Sequence, residues 1–458
     1  MPLLGNTVGN IIVTGIVTWT LQRRIALATR LLRGLKCYHI TAAGADASEL
    51  VHNTPTQRPS KQQAAKARKR DADLGEAGSV TSMPASIAQI EASAFYSQLD
   101  TLTSLVPAAV ANYLLGVAYQ LTGSPLNFFP ALFATIIIAV ALQSLFMVTM
   151  ATNLSPSFDK WCSLFFALLS GAAAASMLLV APRGLLNIDT TGATRALSHA
   201  SASVLSQRGW EPDAQVQHGQ GAGVQPVALE VALALLGAVL GGLLLTPIMR
   251  IMRSFATALE VPEWATQQLR FPAWLPFSLN LNLMLPALAM IVWVNPLFQE
   301  PLGIPQAWMP GIKAGVLTSI SLVQLANSRS LVQSYLDTGL KQWHTLKHGS
   351  LGRAAAAGTA TGAVIKKKLM IVNGLFVKVA IQCLAPPTIL LGCAMIIMQP
   401  SQDGVLPNRG KAKPAEILQI PISFWICMAD FCGWWTCTCW FTVSVASLSL
   451  IRLGLLQA

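Results

Sequence analysis

The chain has 458 residues, enough for about three soluble domains by length alone, but its composition argues against that organisation. Only 11% of the residues are Asp, Glu, Lys or Arg, 53% are apolar, and the mean hydropathy is +0.53. Soluble domains are typically about 25% charged, so this composition excludes a soluble globular protein, a secreted disulfide scaffold and a disordered chain. The class that remains is an all-α, polytopic helical membrane protein.

The formal net charge is +12, from 31 basic and 19 acidic residues. In a membrane protein such a basic excess is typical of cytoplasmic loops and of contact with anionic lipids. The sequence does not interleave aromatic and basic residues as RNA-binding modules do. We therefore expect the lipid bilayer, with anionic lipids at the basic segments, as the partner and no nucleic acid.

A membrane-spanning helix needs about 20 mostly apolar residues, and nine stretches of the sequence meet this need. Pro276 and Pro286 interrupt the sixth stretch, and Pro386 and Pro387 lie inside the eighth. We predict nine membrane helices, or eight if the first stretch is a cleaved signal peptide. The predicted spans are residues 2–22, 99–121, 128–151, 161–181, 227–249, 273–296, 307–326, 369–398 and 421–450.

The distribution of basic residues predicts the orientation of these spans. With the N-terminus outside, 23 of the 31 Lys and Arg residues lie in cytoplasmic segments, six in outside loops and two within spans. This arrangement follows the tendency of basic loops to stay cytoplasmic. The first span lacks the basic segment that precedes a signal peptide's apolar region. We expect a retained anchor, with a cleaved signal or an organelle transit sequence as alternatives.

The segments between the spans differ in composition. Residues 23–40 mix Leu and Ile with five basic residues, which predicts a helix on the lipid surface. Residues 54–82 are typical of a disordered linker, and residues 190–206 predict a short helix. The predicted organisation is an anchor (1–22), a basic cytoplasmic segment (23–98), spans two to four (99–181), an outside loop (182–226), spans five to seven (227–326), a basic cytoplasmic loop (327–368), and spans eight and nine with an outside loop (369–458).

Charged residues inside the spans are the main candidates for function, because each costs roughly 2.5–3.5 kcal/mol at a helix centre. Lys378 lies about three turns into span eight, and Asp430 lies at a similar depth in span nine. The two are predicted to form an intramembrane charge pair. A role in conduction and independent exposure to water are the alternatives. Lys313 and Glu230 lie nearer the ends of their spans, where they can reach headgroups.

Small and polar residues suggest further contacts between helices. Gly237 and Gly241 in span five, and Gly311 and Gly315 in span seven, have the spacing that lets helix backbones approach closely. Such contacts lie within the chain or between chains. Asn280 and Asn282 lie beside the prolines of span six, where they line a polar cavity or form interhelical hydrogen bonds.

The sequence shows no signature of a reactive site. It lacks a P-loop, an HExxH zinc motif, a GxSxG elbow and a dinucleotide-binding fingerprint. Seven of its eight cysteines fall in predicted spans, where small apolar packing is their expected role. We expect no catalytic residues, no cofactor and no metal, and therefore a protein that is not an enzyme.

Several patches along the chain, taken in their order and spacing, resemble the transmembrane protein 161 family. They include MPLLG at 1–5, QRGW at 207–210, GAVLG at 237–241, RSLVQSYL at 329–336, IQCLAPP at 381–387 and GWW at 433–435. The resemblance implies a multi-pass membrane protein without an assigned catalytic activity. It also implies a link with ion currents, excitability and the response to oxidative stress, and it supplies no agreed binding residues.

From these observations we expect a non-enzymatic regulator of membrane ion handling or excitability. Ion channels are among the membrane proteins it would contact. The alternative is a transporter or channel in its own right, with a polar pathway through the membrane. The expected location is the plasma membrane or an endomembrane, ahead of an organelle membrane.

Overall fold

The computed structural model describes residues 2–41, 79–121, 129–150, 157–182, 184–207, 226–259, 273–348, 360–399 and 421–455. These residues form thirteen α-helices and one small sheet. The helices are α1 (Pro2–Thr20), α2 (Leu27–Leu32), α3 (Ile87–Glu91), α4 (Tyr96–Leu121), α5 (Phe129–Met150), α6 (Ser157–Ala175), α7 (Thr190–Gln207), α8 (Pro226–Leu259), α9 (Leu275–Val292), α10 (Gln299–Leu302), α11 (Met309–His348), α12 (Ala360–Ile397) and α13 (Ile422–Arg452). The strands are β1 (Lys36–Thr41) and β2 (Ser79–Pro84).

Eight of the described helices are long and apolar enough to cross a membrane: α4, α5, α6, α8, α9, α11, α12 and α13. They coincide with the second to ninth predicted spans, so the all-α, multi-pass fold is confirmed. The first predicted span forms α1, a helix of 19 residues. The prolines inside α4, α8, α9 and α12 leave those helices continuous, as neighbouring helices permit in membranes.

Helix α12 is the centre of the bundle. In its most apolar stretch of 18 residues, 94% of the residues are buried inside the protein. The corresponding share for α6, at the periphery, is 17%. It packs against α4, α5, α8, α11 and α13. Large apolar side chains on the outer helices face away from this core, among them Trp161, Phe165 and Leu168, each about 70% exposed. This apolar exterior is the surface that contacts the lipid bilayer.

Much of the segment 327–368, predicted to be a cytoplasmic loop, is helical instead of being a loop. Helix α11 continues to His348, and α12 begins at Ala360. Residues 331–340 of the extended α11 are buried or half-buried on all sides, and the polar Ser334 and Asp337 are among the buried ones. These polar residues lower the local hydropathy, so the extension resembles a loop when hydropathy alone is considered.

The predicted lipid-surface helix over residues 23–40 is also only partly correct. Helix α2 ends at Leu32, and β1 then pairs antiparallel with β2, with Tyr38 opposite Ser82. The sheet docks on the bundle through β1, which packs on α11 and α12. This contact buries Cys37 and Tyr38. The predicted linker 54–82 falls largely outside the described residues, but its last residues belong to β2. The predicted helix at 190–206 corresponds to α7.

The glycine pairs behave differently in α8 and α11. A Cβ at Gly237 would lie 2.9 Å from the Cβ of Ala174, and one at Gly241 would overlap Ser170, so both glycines allow α8 to pack closely on α6. A Cβ at Gly311 or Gly315 would meet no atom within 4 Å. The second pair therefore makes no close packing contact within the described chain.

Candidate functional site

A buried ion pair joins α11 to α13 near one end of the bundle. Lys313 Nζ lies 3.1 Å from Asp430 Oδ2, and both residues are less than one-tenth exposed. Lys313 is about one turn from the start of α11, and Asp430 is about two turns into α13. We refer to this end of the bundle, with Lys313 and Asp430, as the ion-pair end.

The ion pair is completed by two residues from neighbouring segments. Trp293, at the end of α9, donates from Nε1 to Asp430 Oδ1 at 3.3 Å, and its ring centroid lies 5.5 Å from Lys313 Nζ. Asn187 accepts from Lys313 with both its backbone carbonyl and its Oδ1. An ammonium has three donors, and Asp430 and the two oxygens of Asn187 engage all three.

The backbone holds Asn187 in place through a short pairing with the end of α9. The Asn187 amide donates to the Trp293 carbonyl at 2.8 Å, and the Asn295 amide donates to the Leu185 carbonyl at 3.0 Å. The same loop positions Asp189, whose Oδ1 accepts from the Gly192 amide at 2.7 Å and so caps α7. Asn187 and Trp293, which are joined by the first of these bonds, are also the two residues that contact the ion pair.

A cavity of about 470 Å³ lies over the ion pair. Its exposed rim includes Gln306, Ala307 and Pro310, and its wall includes the buried Lys313 and Asp430. Asp189 also lines it, so the cavity holds two carboxylates against one ammonium. A small cation is the ligand that this balance of charge favours. The remaining lining residues are Asn187, Met309, Ile397, Gln399, Ser423, Ile426 and Cys427.

The bundle closes directly beyond the ion pair. Leu317 and Ile320 follow Lys313 on the same face of α11, and both are buried. A Cβ at Gly433, one turn from Asp430, would lie 2.8 Å from Leu317 Cδ1. Phe431, beside Asp430 in sequence, is fully buried. The cavity therefore ends at an apolar, tightly packed layer.

The predicted pair of Lys378 with Asp430 is wrong. The Cβ that would be added to Gly433 lies 3.6 Å from Cys393 Cβ, which fixes how α12 and α13 align. From Cys393, Lys378 lies about 22 Å along α12 at ~1.5 Å per residue, whereas Asp430 is within one turn of Gly433. Lys378 is buried one turn from Gln382, which accepts a hydrogen bond from Arg250.

Sequence reasoning missed Lys313 as the partner because it treated that residue as able to reach headgroups. Depth was the signal that could have found it. In the predicted topology, spans seven and nine both begin outside, and Lys313 and Asp430 both lie in the outer half of their spans. The sequence gives no comparable signal for Trp293 and Asn187. These residues contact the ion pair only because the segment after α6 folds against the end of α9.

The predicted cavity at Asn280 and Asn282 does not form around these two residues together. Asn280 is exposed and donates to the Pro276 carbonyl within its own helix at 2.9 Å. Asn282 is buried on another side of α9, because residues two apart point about 200° apart. Neither lines the cavity over the ion pair.

The overall architecture agrees with a known sequence family. The sequence profile of the family described as "Predicted transmembrane protein 161AB" matches residues 79–401, which is most of the chain. The chain belongs to this family. The matched region includes Lys313 and Trp293 but ends before Asp430. No curated protein and no solved structure matches the sequence significantly.

Among the described residues, no group of three or more His, Cys, Asp or Glu side chains lies close enough to hold a metal ion. The cysteines of α12 and α13 are buried and unbridged. The family match and the membrane helices establish an integral, multi-pass membrane protein. The cavity over Lys313 and Asp430 is the site whose geometry bears most directly on function.

Proposed function

We propose that this protein is a non-enzymatic regulator of membrane ion handling, and that the cavity over Lys313 and Asp430 is its sensing site for a small cation. The observation that carries the proposal is the one-sided shape of the site. A charged cavity reaches into the bundle and ends at an apolar layer that includes Leu317 and Ile320. Such a site favours binding of a cation over its passage through the membrane.

The ion pair supplies a mechanism for sensing. A cation that enters the cavity competes with Lys313 for the Asp430 carboxylate. Lys313 then loses a partner on α13 but keeps its bonds to Asn187, so the strength of the α11–α13 contact depends on occupancy. A change in that contact shifts the balance between two helix arrangements. A shift between these arrangements changes the outer, apolar surface of the bundle, which is where a partner channel would bind.

The charged groups also support a non-enzymatic role. Lys313 has all three donors engaged, and Asp430 accepts from both Lys313 and Trp293. Asp189 is engaged as a helix cap. These groups hold the structure together rather than presenting an activated nucleophile with a free base. The plasma membrane or an endomembrane is the location we propose for this activity.

Two measurements together test the proposal. The purified wild-type protein, reconstituted alone in liposomes, should give no cation flux above that of empty liposomes. Expression of the wild type in cells should change endogenous membrane currents, and the double variant Lys313→Met with Asp430→Leu should not. Gly315→Ala, which adds a methyl group to a face with no atom within 4 Å, is the control and should act as the wild type does.

A transporter is the second candidate, and one observation favours it. Gln324 is buried on the same face of α11 as Lys313, about 16 Å further along, and both atoms of its amide lack a hydrogen-bond partner. A pathway from Lys313 to Gln324 would have to pass Leu317 and Ile320. Robust flux by the wild-type protein alone would support this candidate and overturn the regulator.

A further inference from the structure

A second cavity, of about 640 Å³, lies at the opposite end of the bundle, between β1, the segment after α3 and the first turns of α12. It is separate from the ion-pair cavity, because it meets α12 near Lys366 whereas the other meets α12 at Ile397. Three lysines, 366–368, directly precede the apolar part of α12, which begins at Leu369. Lysines in this position reach the headgroup layer, so we place this cavity at that depth. Its lining is Tyr38, His39, Gln89, Ala92, Ser93, Ala94, Lys366, Leu369, Met370, Asn373, Gly374 and Phe376.

The charge of this cavity favours an anion. Lys366 is a cationic side chain in its wall, and the described part of the chain contributes no acidic residue to the lining. Burial lowers the pKa of His39 below its ordinary value, so the imidazole is neutral at pH 7 and can donate one hydrogen bond. Gln89 and Ser93 are further potential donors on the wall. One ammonium with several neutral donors suits a singly charged phosphodiester.

A buried side-chain amide in the wall has one oxygen without a hydrogen-bond partner. Asn373 is 6% exposed, and its Nδ2 donates to the Tyr38 carbonyl at 2.9 Å. Because a carbonyl can only accept, this bond fixes which end of the amide is Nδ2. The other end, Oδ1, is buried without a partner. A ligand with a hydroxyl or an ammonium group satisfies it when the Asn373 side chain turns Oδ1 toward the cavity.

The third side of the cavity is apolar and continues onto the outer surface of a membrane helix. Leu369, Met370 and Phe376 line it, and Met370 is 75% exposed. Ile371, next to it, is 50% exposed. A ligand with a polar head in the cavity would thus have an apolar surface directly beside it, along which a hydrocarbon chain can lie.

We propose that this cavity binds the headgroup of an anionic phospholipid. Its phosphate contacts Lys366, a hydroxyl or ammonium of the headgroup donates to Asn373 Oδ1, and one acyl chain lies along Met370. Phosphatidylinositol, phosphatidylserine and phosphatidylglycerol have this chemistry, whereas phosphatidylcholine lacks the donor. The proposal does not depend on the ion-pair cavity or on the sensing role proposed for it.

Native mass spectrometry of the full chain in detergent tests the proposal, with each lipid titrated separately. Phosphatidylinositol should bind at least about tenfold more tightly than phosphatidylcholine, and Lys366→Gln should remove most of that difference, as expected for loss of a charge-assisted contact. Lys367→Gln is the matched control, because it makes the same change one residue outside the cavity. Equal losses in the two variants would indicate diffuse attraction and would overturn the proposal.

A second pair of variants fills space instead of removing charge. A Cβ at Gly374 would meet no atom within 4 Å, so Gly374→Leu should fold and occupy the cavity. Gly315→Leu adds the same side chain at an equally open position outside this cavity. Binding of phosphatidylinositol should fall at least about tenfold in the first variant and stay at the wild-type level in the second. Wild-type binding by Gly374→Leu would overturn the proposal.

Water-soluble probes separate a lipid from a free phosphate. Inorganic phosphate and glycerophosphoinositol have the same anionic chemistry without acyl chains. Each should displace phosphatidylinositol only at concentrations at least about a hundredfold above that of the lipid, because neither covers the apolar wall. Displacement by either probe at concentrations similar to the lipid would assign the cavity to a soluble phosphate and would overturn the lipid proposal.

Discussion

The two ends of the bundle satisfy a buried carboxylate in different ways. At the ion-pair end, Asp430 faces an ammonium 3.1 Å away. At the other end, which we call the sheet end because β1 and β2 dock there, Asp337 is 1% exposed. Its Oδ1 accepts from Tyr38 Oη and from Gln333 Nε2, each at 2.8 Å.

The two arrangements differ in how strongly the carboxylate is compensated and in whether a cation can compete for it. A bare buried carboxylate is costly, and a full positive charge compensates it more strongly than neutral donors do. The ion pair, however, lines a cavity, so a cation that enters the cavity can compete with Lys313 for Asp430. The neutral donors at the sheet end instead connect β1 to α11 at two points, because Gln333 also accepts from the Lys36 backbone amide. The first arrangement suits a site that responds to ions, and the second suits a structural clasp.

The largest effect should come from breaking the ion pair on one side only. Asp430→Leu leaves Lys313 as an uncompensated buried charge and should lower the free energy of unfolding in detergent by about 3–5 kcal/mol. Adding Lys313→Met should restore most of the loss. Adding Lys378→Met instead should restore none of it, because Lys378 lies far from Asp430. Rescue by Lys378→Met would contradict the pairing observed in the structure.

The clasp at the sheet end should be weaker than the ion pair but still measurable. Tyr38→Phe removes one hydrogen bond to the Asp337 carboxylate, which should cost about 1.5–3 kcal/mol. Amide hydrogen exchange of β1 should quicken while exchange at the start of α11 stays unchanged.

The matched control is Tyr96→Phe, which removes the hydroxyl pair between Tyr96 and Thr29, 3.1 Å apart. This pair is neutral, so its loss should cost only about 0.5–1.5 kcal/mol. Equal losses in the two variants would mean that the charge of Asp337 adds nothing to the clasp.

A substitution between the two ends should loosen both of them. Gly241→Ala forces α8 away from Ser170 on α6, and such overpacking costs about 1–3 kcal/mol. Ser170 also accepts from Trp435 Nε1 at 3.0 Å, so α13 is affected too. Exchange should quicken in β1 and in α11 alike. Gly315→Ala should be neutral or stabilising by up to about 1 kcal/mol, and destabilisation there would reveal a contact with another chain.

The smallest effect should be a dependence of the sheet end on pH. Burial lowers the pKa of His39, so the unfolded chain binds a proton here more readily than the folded one. The stability that His39 contributes is therefore present above pH 6.5 and is lost as the pH falls through the lowered pKa. Asp337, which bonds to Tyr38 on the same strand, is a second titratable group at this end, so the part due to His39 has to be measured as a difference. On going from pH 7.5 to pH 5.5, exchange in β1, corrected for the intrinsic rate, should quicken more in the wild type than in His39→Gln. Equal changes in the two proteins would contradict the role of His39.

Burial, reinforced by the neighbouring Asp337 carboxylate, raises the pKa of the Tyr38 phenol above its ordinary value. Tyr38 therefore remains a donor throughout the neutral range, and its contribution is lost only when the pH rises well above 10. Ionisation of Tyr38 therefore does not contribute to the expected pH dependence of β1 between pH 5.5 and pH 7.5.

The sequence alone determined the class of protein and the places of its membrane helices. Spans two to nine were located to within a few residues at most of their ends, because hydropathy is a local property that each segment has in isolation. The close packing at Gly237 and Gly241 was also predicted from spacing alone. The same spacing at Gly311 and Gly315 gave no such contact in the chain, because spacing does not determine which helix a face will meet.

The tertiary structure decided which charges meet. Lys378, Lys313 and Asp430 all appear in the sequence as costly residues within spans, but only the alignment of α11, α12 and α13 shows that Lys313 is the partner. The buried extension of α11 and the strand β1 were missed for the same reason. Each is stabilised by contacts with residues hundreds of positions away, such as Tyr38 with Asp337, and the hydropathy of a single segment contains no information about such a contact.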